Sequence, residues 1–138
     1  MKNNPPLLRT IDANINRFKE GIRVVEDILR YEFNSPLAKE LKTLRHIRIP
    51  NYETVITFRD SQNDILKPSI KSEQNRSNIK EIVIANLKRA QESARVLEEI
   101  YKIFDLNTSE KFKNTRYKLY MLEKEILSYL NNVSSNSL

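Results

Sequence analysis

The sequence predicts an all-α protein, a four-helix bundle built from two repeated helical hairpins. Three observations carry that prediction: the chain has one glycine and no cysteine, a stretch of its first half recurs in its second, and its apolar residues step by three and four. A single glycine leaves little for tight β-hairpins, phosphate loops or dinucleotide-binding turns to use. At 138 residues the chain suits one domain, is too short for a (β/α)₈ barrel of roughly 250 residues, and without cysteine it is no disulfide-stapled module.

The repeat sets the order of the elements. Ala13-Asn14-x-x-Arg17-x-x-Glu20-x-x-Arg23-Val24-x-Glu26-x-Ile28 recurs 72 residues later as Ala85-Asn86-x-x-Arg89-x-x-Glu92-x-x-Arg95-Val96-x-Glu98-x-Ile100. A weaker echo follows each copy, displaced by 71: Leu41-Lys42-x-x-Arg45-His46 and Phe112-Lys113-x-x-Arg116-Tyr117. Each half therefore reads as a long helix and a second one after it.

The first helix is expected over 9–33, where Ile11, Ile15, Phe18, Ile22, Val25, Leu29 and Phe33 line one face. The second is expected over 36–49, opened by Ser35-Pro36 and stopped before Pro50. Tyr52–Phe58 has strand-like composition but nothing to pair with, so an extended loop is expected there. The third helix is expected over 73–105, with a stripe of Ile79, Val83, Ala90, Leu97, Tyr101 and Phe104. The fourth is expected over 108–131, started by Asn107-x-x-Glu110 as a capping-box-like signal, and residues 131–138 are expected to fray. The domain reading is one helical unit over 1–138, with repeats at about 9–50 and 73–131 and a connecting segment at 51–72.

The formal charge is +6 and divides evenly, +3 on each side of Ser69. There is no basic tail and no linear basic cluster with interleaved aromatics, so nucleic-acid binding is not expected. No run approaches the roughly 20 apolar residues that span a bilayer, and the chain's start lacks the apolar core of a signal peptide, so a cytoplasmic protein without membrane contact is expected.

At about 100° per residue, Asn14 and Arg17 fall inside a wide apolar arc, and Asn86 and Arg89 repeat the arrangement. A guanidinium so placed loses hydration unless a carboxylate or an anion compensates. Two readings stay open, and they are compatible, since a carboxylate that orients an arginine is a normal support for a phosphate site. Glu20, Glu26, Glu92 or Glu98 satisfies the arginines in an internal network, or Arg17, Arg45, Arg89 and Arg116 converge on a phosphate-bearing ligand whose oxygens suit guanidinium forks. Asp60 and Asp64 are candidate Mg²⁺ carboxylates or a solvated loop. Ser72, Glu73 and Arg76 read as a helix cap or a phosphate cradle, and the lone His46 as a packed or capping side chain.

These residues together resemble the monofunctional hydroxymethylpyrimidine-phosphate kinases of thiamin synthesis, a domain also found fused ahead of the barrel of some thiamin-phosphate synthases. The resemblance runs from Arg9-Thr10-x-Asp12-Ala13-Asn14-x-Asn16-Arg17 through Lys42-x-x-Arg45-His46, Arg59-Asp60-x-x-x-Asp64, Glu73-x-x-Arg76 and Ala85-Asn86-x-Lys88-Arg89, and ends with Arg116-Tyr117-x-x-Tyr120-x-x-Glu123. Around Asp64 the chain departs from it, with Asn63 and Leu66 where the family carries glycines.

The resemblance implies transfer of a phosphoryl group from ATP, with Mg²⁺, onto 4-amino-5-hydroxymethyl-2-methylpyrimidine phosphate. It implies no thiamin-phosphate synthase activity, since the barrel is absent from these residues. The acceptor is already anionic near neutral pH, so such a site needs positioning and charge neutralisation rather than a general base. On this reading Arg17, Arg45, Arg89 and Arg116 contact phosphates, with Arg23, Arg76 and Arg95 as further contacts. Asn14 and Asn86 recognise the pyrimidine or a ribose, or else bond the backbone, and Glu20 and Glu92 orient arginines. The expected partners are the pyrimidine phosphate and a nucleotide, with a homodimer left open. The alternative is a phosphate-binding or sensor module without catalysis, motivated by the missing glycines.

Overall fold

The computed structural model describes residues 5–70 and 75–136, with side chains through residue 133. It is all-α, and no strand occurs among the described residues. Helix α1 spans Pro5–Asp27 and runs into a π-helical turn at Ile28–Glu32. Helix α2 spans Leu37–Arg45, a short α3 spans Tyr52–Ile56, α4 spans Ile79–Phe104 and α5 spans Leu106–Asn136.

Helices α1 and α4, the two copies of the repeated motif, pack along each other, α2 lies on α1, and α5 lies on α4. Most of each stripe that predicted the helices forms the core: Ile11, Ile15, Phe18, Ile22 and Val25 from α1 and Leu29 from the π-helical turn meet Val83, Leu87, Ala90, Ala94, Leu97 and Tyr101 from α4, all buried, while Phe33 and Phe104 are partly buried and Ile79 is exposed. Phe112 of α5 joins the halves, edge-on to Phe18 at 5.8 Å and stacked on Tyr101 at 6.1 Å. Gly21 sets the spacing of α1 and α4, because a Cβ there would lie 2.8 Å from the Asn86 carbonyl oxygen.

The ends of the elements show what the sequence signals meant. Asn34, left-handed at φ 50°, ends the first helix, and Ser35 N–H reaches back to the Leu29 carbonyl at 2.9 Å. Ser35 Oγ then accepts from Leu37 N–H, opening α2 as expected. That helix stops at Arg45 rather than at residue 49. Pro50 disfavours helical backbone at Ile49, and Asn51, left-handed at φ 56°, turns the chain. Residues 52–56 form α3 instead of an extended loop, since a strand without a neighbour leaves its backbone groups unpaired and a helical turn pairs them internally.

The start of the third helix was expected at Glu73, which, like Ser72, lies outside the described residues. Helix α4 begins at Ile79, where Asn78 accepts from Glu81 N–H and Glu81 in turn accepts from Ser77 N–H. The start of α5 is capped by Asp105 and not by Asn107: its carboxylate accepts from Asn107 N–H and from the Thr108 hydroxyl. At the far end α5 runs on to Asn136 where fraying was expected, and the Tyr129 ring packs edge-on against Phe33, its hydroxyl donating to the Phe33 carbonyl.

Candidate functional site

A cleft of about 770 Å³ opens beside the α1–α4 contact, with Asn14 and Arg17 on one wall, Ala85, Arg89, Glu92, Ser93 and Val96 on the other, and residues 61–67 of the connecting segment over it. The repeat explains why the arginines face each other. Equivalent positions on two helices packed through equivalent faces project into the same space. Among the described residues neither Arg17 nor Arg89 has an ion-pair partner, and both are exposed to the cleft rather than sealed in the apolar arc. With Lys67 they set three cations against the carboxylates of Asp64 and Glu92.

The other repeated pair of arginines does something different. Arg45 donates to both carboxylate oxygens of buried Glu26, at 2.5 and 3.2 Å, and Arg116 donates twice to Oε1 of buried Glu98, at 3.0 and 2.9 Å. The Glu26 hydrogen bond raises the Arg45 pKa, and the Tyr120 hydroxyl together with Glu98 raises that of Arg116. Each pair ties a second helix to its long helix. The internal-network reading describes these two pairs: the Nε and one terminal nitrogen of each guanidinium are engaged by a carboxylate of the chain itself, and neither Arg45 nor Arg116 lines the cleft.

The further candidates divide the same way. Arg23 pairs with Asp27, Arg95 with Glu98 and Glu99, and Arg76 donates to the Asn75 carbonyl; none of the three lines the cleft. Asn14 and Asn86 line up as equivalents, each amide donating at 2.9 Å to the carbonyl one turn back, of Thr10 and Ile82. Glu20 is exposed outside the cleft, whereas Glu92 lies in its wall. Among the described residues neither Glu20 nor Glu92 pairs with an arginine, while Glu26 pairs with Arg45 and Glu98 with Arg95 and Arg116.

Asp12 and Arg59 stand in the motifs quoted above, but the sequence assigns neither of them a role. Arg59 donates to both oxygens of buried Asp12 at 2.8 Å, which lifts the Arg59 pKa well above its ordinary value. This bidentate pair clamps the connecting segment to α1, with Arg9 donating to the Asp60 carbonyl beside it. The signal was present, since Asp12 stands between Ile11 and Ala13 in the buried face of a helix, where a carboxylate needs a partner.

Of the expected Mg²⁺ carboxylates, Asp64 lines the cleft and accepts from Leu66 N–H, while Asp60 is turned to the Asn63 amide, which holds its pKa below the usual range. No group of three or more metal-ligating side chains occurs among the described residues. No described helix is long and apolar enough to cross a membrane.

Fold and cleft together define a duplicated helical-hairpin domain with a cationic cleft between its two copies. The chain belongs to the ThiD2 family, whose model matches residues 9–125. It is 36% identical over 124 residues to the thiamine-phosphate synthases of Nostoc sp. and Synechocystis sp., covering 88% of this chain and 35% and 36% of those proteins. It is 33% identical over 127 residues to that of Rhodopirellula baltica, covering 87% of this chain and 34% of that protein. The chain thus spans about a third of the length of the curated relatives it matches. No solved structure matches it significantly.

The family and its relatives place the domain in thiamin biosynthesis. They also correct the expected enzyme class, kinase and not synthase, because these relatives carry the name thiamine-phosphate synthase and not that of a kinase.

Proposed function

We propose that this domain is a phosphate-ligand binding module of thiamin biosynthesis, which holds the phosphorylated pyrimidine in the cleft between α1 and α4. The observation that carries the reading is the split among the repeated arginines: Arg45 and Arg116 are consumed by Glu26 and Glu98, while Arg17 and Arg89 face one cleft with no partner among the described residues. Planar guanidinium forks bind phosphate oxygens through paired, charge-assisted hydrogen bonds. The cleft lies within the range of small-ligand sites, a few hundred to about 1,000 Å³. Asp64 lines the cleft, which supports a Mg²⁺ arriving with the phosphate, since that ion keeps several waters and needs only one or two protein carboxylates.

Calorimetric titration with the pyrimidine phosphate, and separately with the unphosphorylated alcohol, tests this. Binding of the phosphate but not of the alcohol is expected. Equal binding of both, or of neither, would contradict it.

A further inference from the structure

The second repeat holds a carboxylate that the first repeat lacks. Glu123 of α5 accepts from Gln91 at 3.0 Å and pairs with Lys88 at 3.4 Å, so the chain supplies its own counter-ion between α4 and α5. The equivalents of Lys88 and Gln91, 72 residues earlier, are Asn16 and Lys19, and the equivalent of Glu123, 71 residues earlier, is Tyr52. Those three residues also meet, but around a hollow of about 410 Å³ completed by Ile15, Arg48 and Ile49. The early end of α2 and the turn at Pro50-Asn51 put Tyr52 where an uninterrupted helix puts the carboxylate.

The charge of this hollow is unbalanced. Lys19 is half-buried, Arg48 is exposed, and among the described residues neither has an ion-pair partner. The nearby carboxylates are engaged: Glu26 holds Arg45, and Asp12 holds Arg59 while accepting from Asn16 at 3.4 Å. Glu20 and Glu53, next in sequence to the lining residues, are exposed and do not line it. Burial, with the guanidinium groups of Arg45 and Arg48, pushes the Lys19 ammonium below its usual range.

Cations gathered in a partly enclosed space favour an anion, and an ammonium beside a guanidinium suits phosphate. Ile15, Ile49 and the Tyr52 ring add a flat apolar side. We propose that this hollow is a second anion site, taking a phosphate ester that carries a planar ring, its phosphate standing in for the carboxylate of Glu123. It is separate from the cleft, because Lys19 and Arg17 project about 160° apart around α1.

NMR titration of the full chain with inorganic phosphate and with phenyl phosphate, at constant ionic strength, tests the proposal. Phenyl phosphate is expected to shift the signals of Asn16, Lys19 and Arg48, to raise the Lys19 pKa toward its ordinary value, and to bind more tightly than inorganic phosphate. Lys19→Gln with Arg48→Gln should weaken this binding at least about tenfold, the equivalent of one strong charged contact. Arg17→Gln with Arg89→Gln, which act at the cleft, should leave the shifts at Asn16, Lys19 and Arg48 in place. Tyr52→Glu, which restores the carboxylate of the other repeat, should abolish them in a folded protein.

Stationary Lys19 and Arg48 signals, or an affinity read at the Asn16 signal that survives their replacement, would overturn the site. Equal affinity for the two probes would overturn the ring. Failure of the cleft reading shows instead at Arg17 and Arg89, so the two readings fail separately.

Discussion

The two hairpins begin alike and end differently. In each, a long helix carries Asn, Arg and Glu at matching places, and an arginine of the second helix locks onto a buried glutamate, Arg45 on Glu26 and Arg116 on Glu98. Beyond that lock α2 stops at Arg45 while α5 continues to Asn136. Along the longer helix Glu123 meets Lys88 and Gln91; beyond the shorter one comes a turn and a hollow whose Lys19 and Arg48 have no ion-pair partner among the described residues. The chain thus carries one frame twice, and the break at Pro50 and Asn51 sets the two copies apart.

The largest expected effects test the shared lock. Glu98→Ala strands Arg116, whose side chain is 12% exposed, and should cost about 3–5 kcal/mol, as removing one partner of a buried pair does. Glu26→Ala should cost somewhat less, because Arg45 is 18% exposed and more of its charge reaches water. Chemical denaturation of the two variants measures the difference; no loss in either would mean that the locks are incidental.

Next comes the contact between the copies. Gly21→Ala drives a Cβ toward a backbone oxygen 2.8 Å away, an overpacking cost of about 1–3 kcal/mol against a gain in helix propensity of at most about 1 kcal/mol. The net should be destabilising by thermal melting. At the equivalent position the second repeat has Ser93, so Ser93→Ala should change little.

Arg17→Gln and Arg89→Gln should leave stability within about 0.5 kcal/mol, being exposed, while weakening phosphate binding; equilibrium unfolding beside a binding titration separates the two effects. The smallest effect is expected at Tyr101, whose buried hydroxyl has no hydrogen-bond partner and whose pKa burial pushes up. Tyr101→Phe removes that uncompensated group and should be neutral or slightly stabilising by melting temperature, as at the equivalent position, where Leu29 has no polar atom to satisfy.

The frame was legible in the sequence because periodicity and repetition are properties of the chain. The stripe from Ile11 to Leu29 became the buried face of α1 and the turn after it, and the 72-residue offset became the α1–α4 pairing. The site was legible as a set of arginines but not as a division among them. Which guanidinium meets a glutamate depends on where the second helix crosses the first, and residue spacing does not encode that crossing. The Asp12–Arg59 clamp joins residues 47 apart through a segment without periodicity, and α3 formed because its backbone had no strand to pair with. The helix start at Leu106 precedes the expected one because Asp105 offers its carboxylate ahead of Asn107, and α4 starts at Ile79, where Asn78 supplies the cap.

The claim at the centre of this account is that Arg17 and Arg89 hold a phosphate while Arg45 and Arg116 hold the fold. Its most direct test is the affinity of the Arg17→Gln, Arg89→Gln double variant for the pyrimidine phosphate, measured by calorimetry on protein shown to be folded. The account predicts a loss of at least about a hundredfold, roughly tenfold for each guanidinium removed. Wild-type affinity in that folded variant would contradict it.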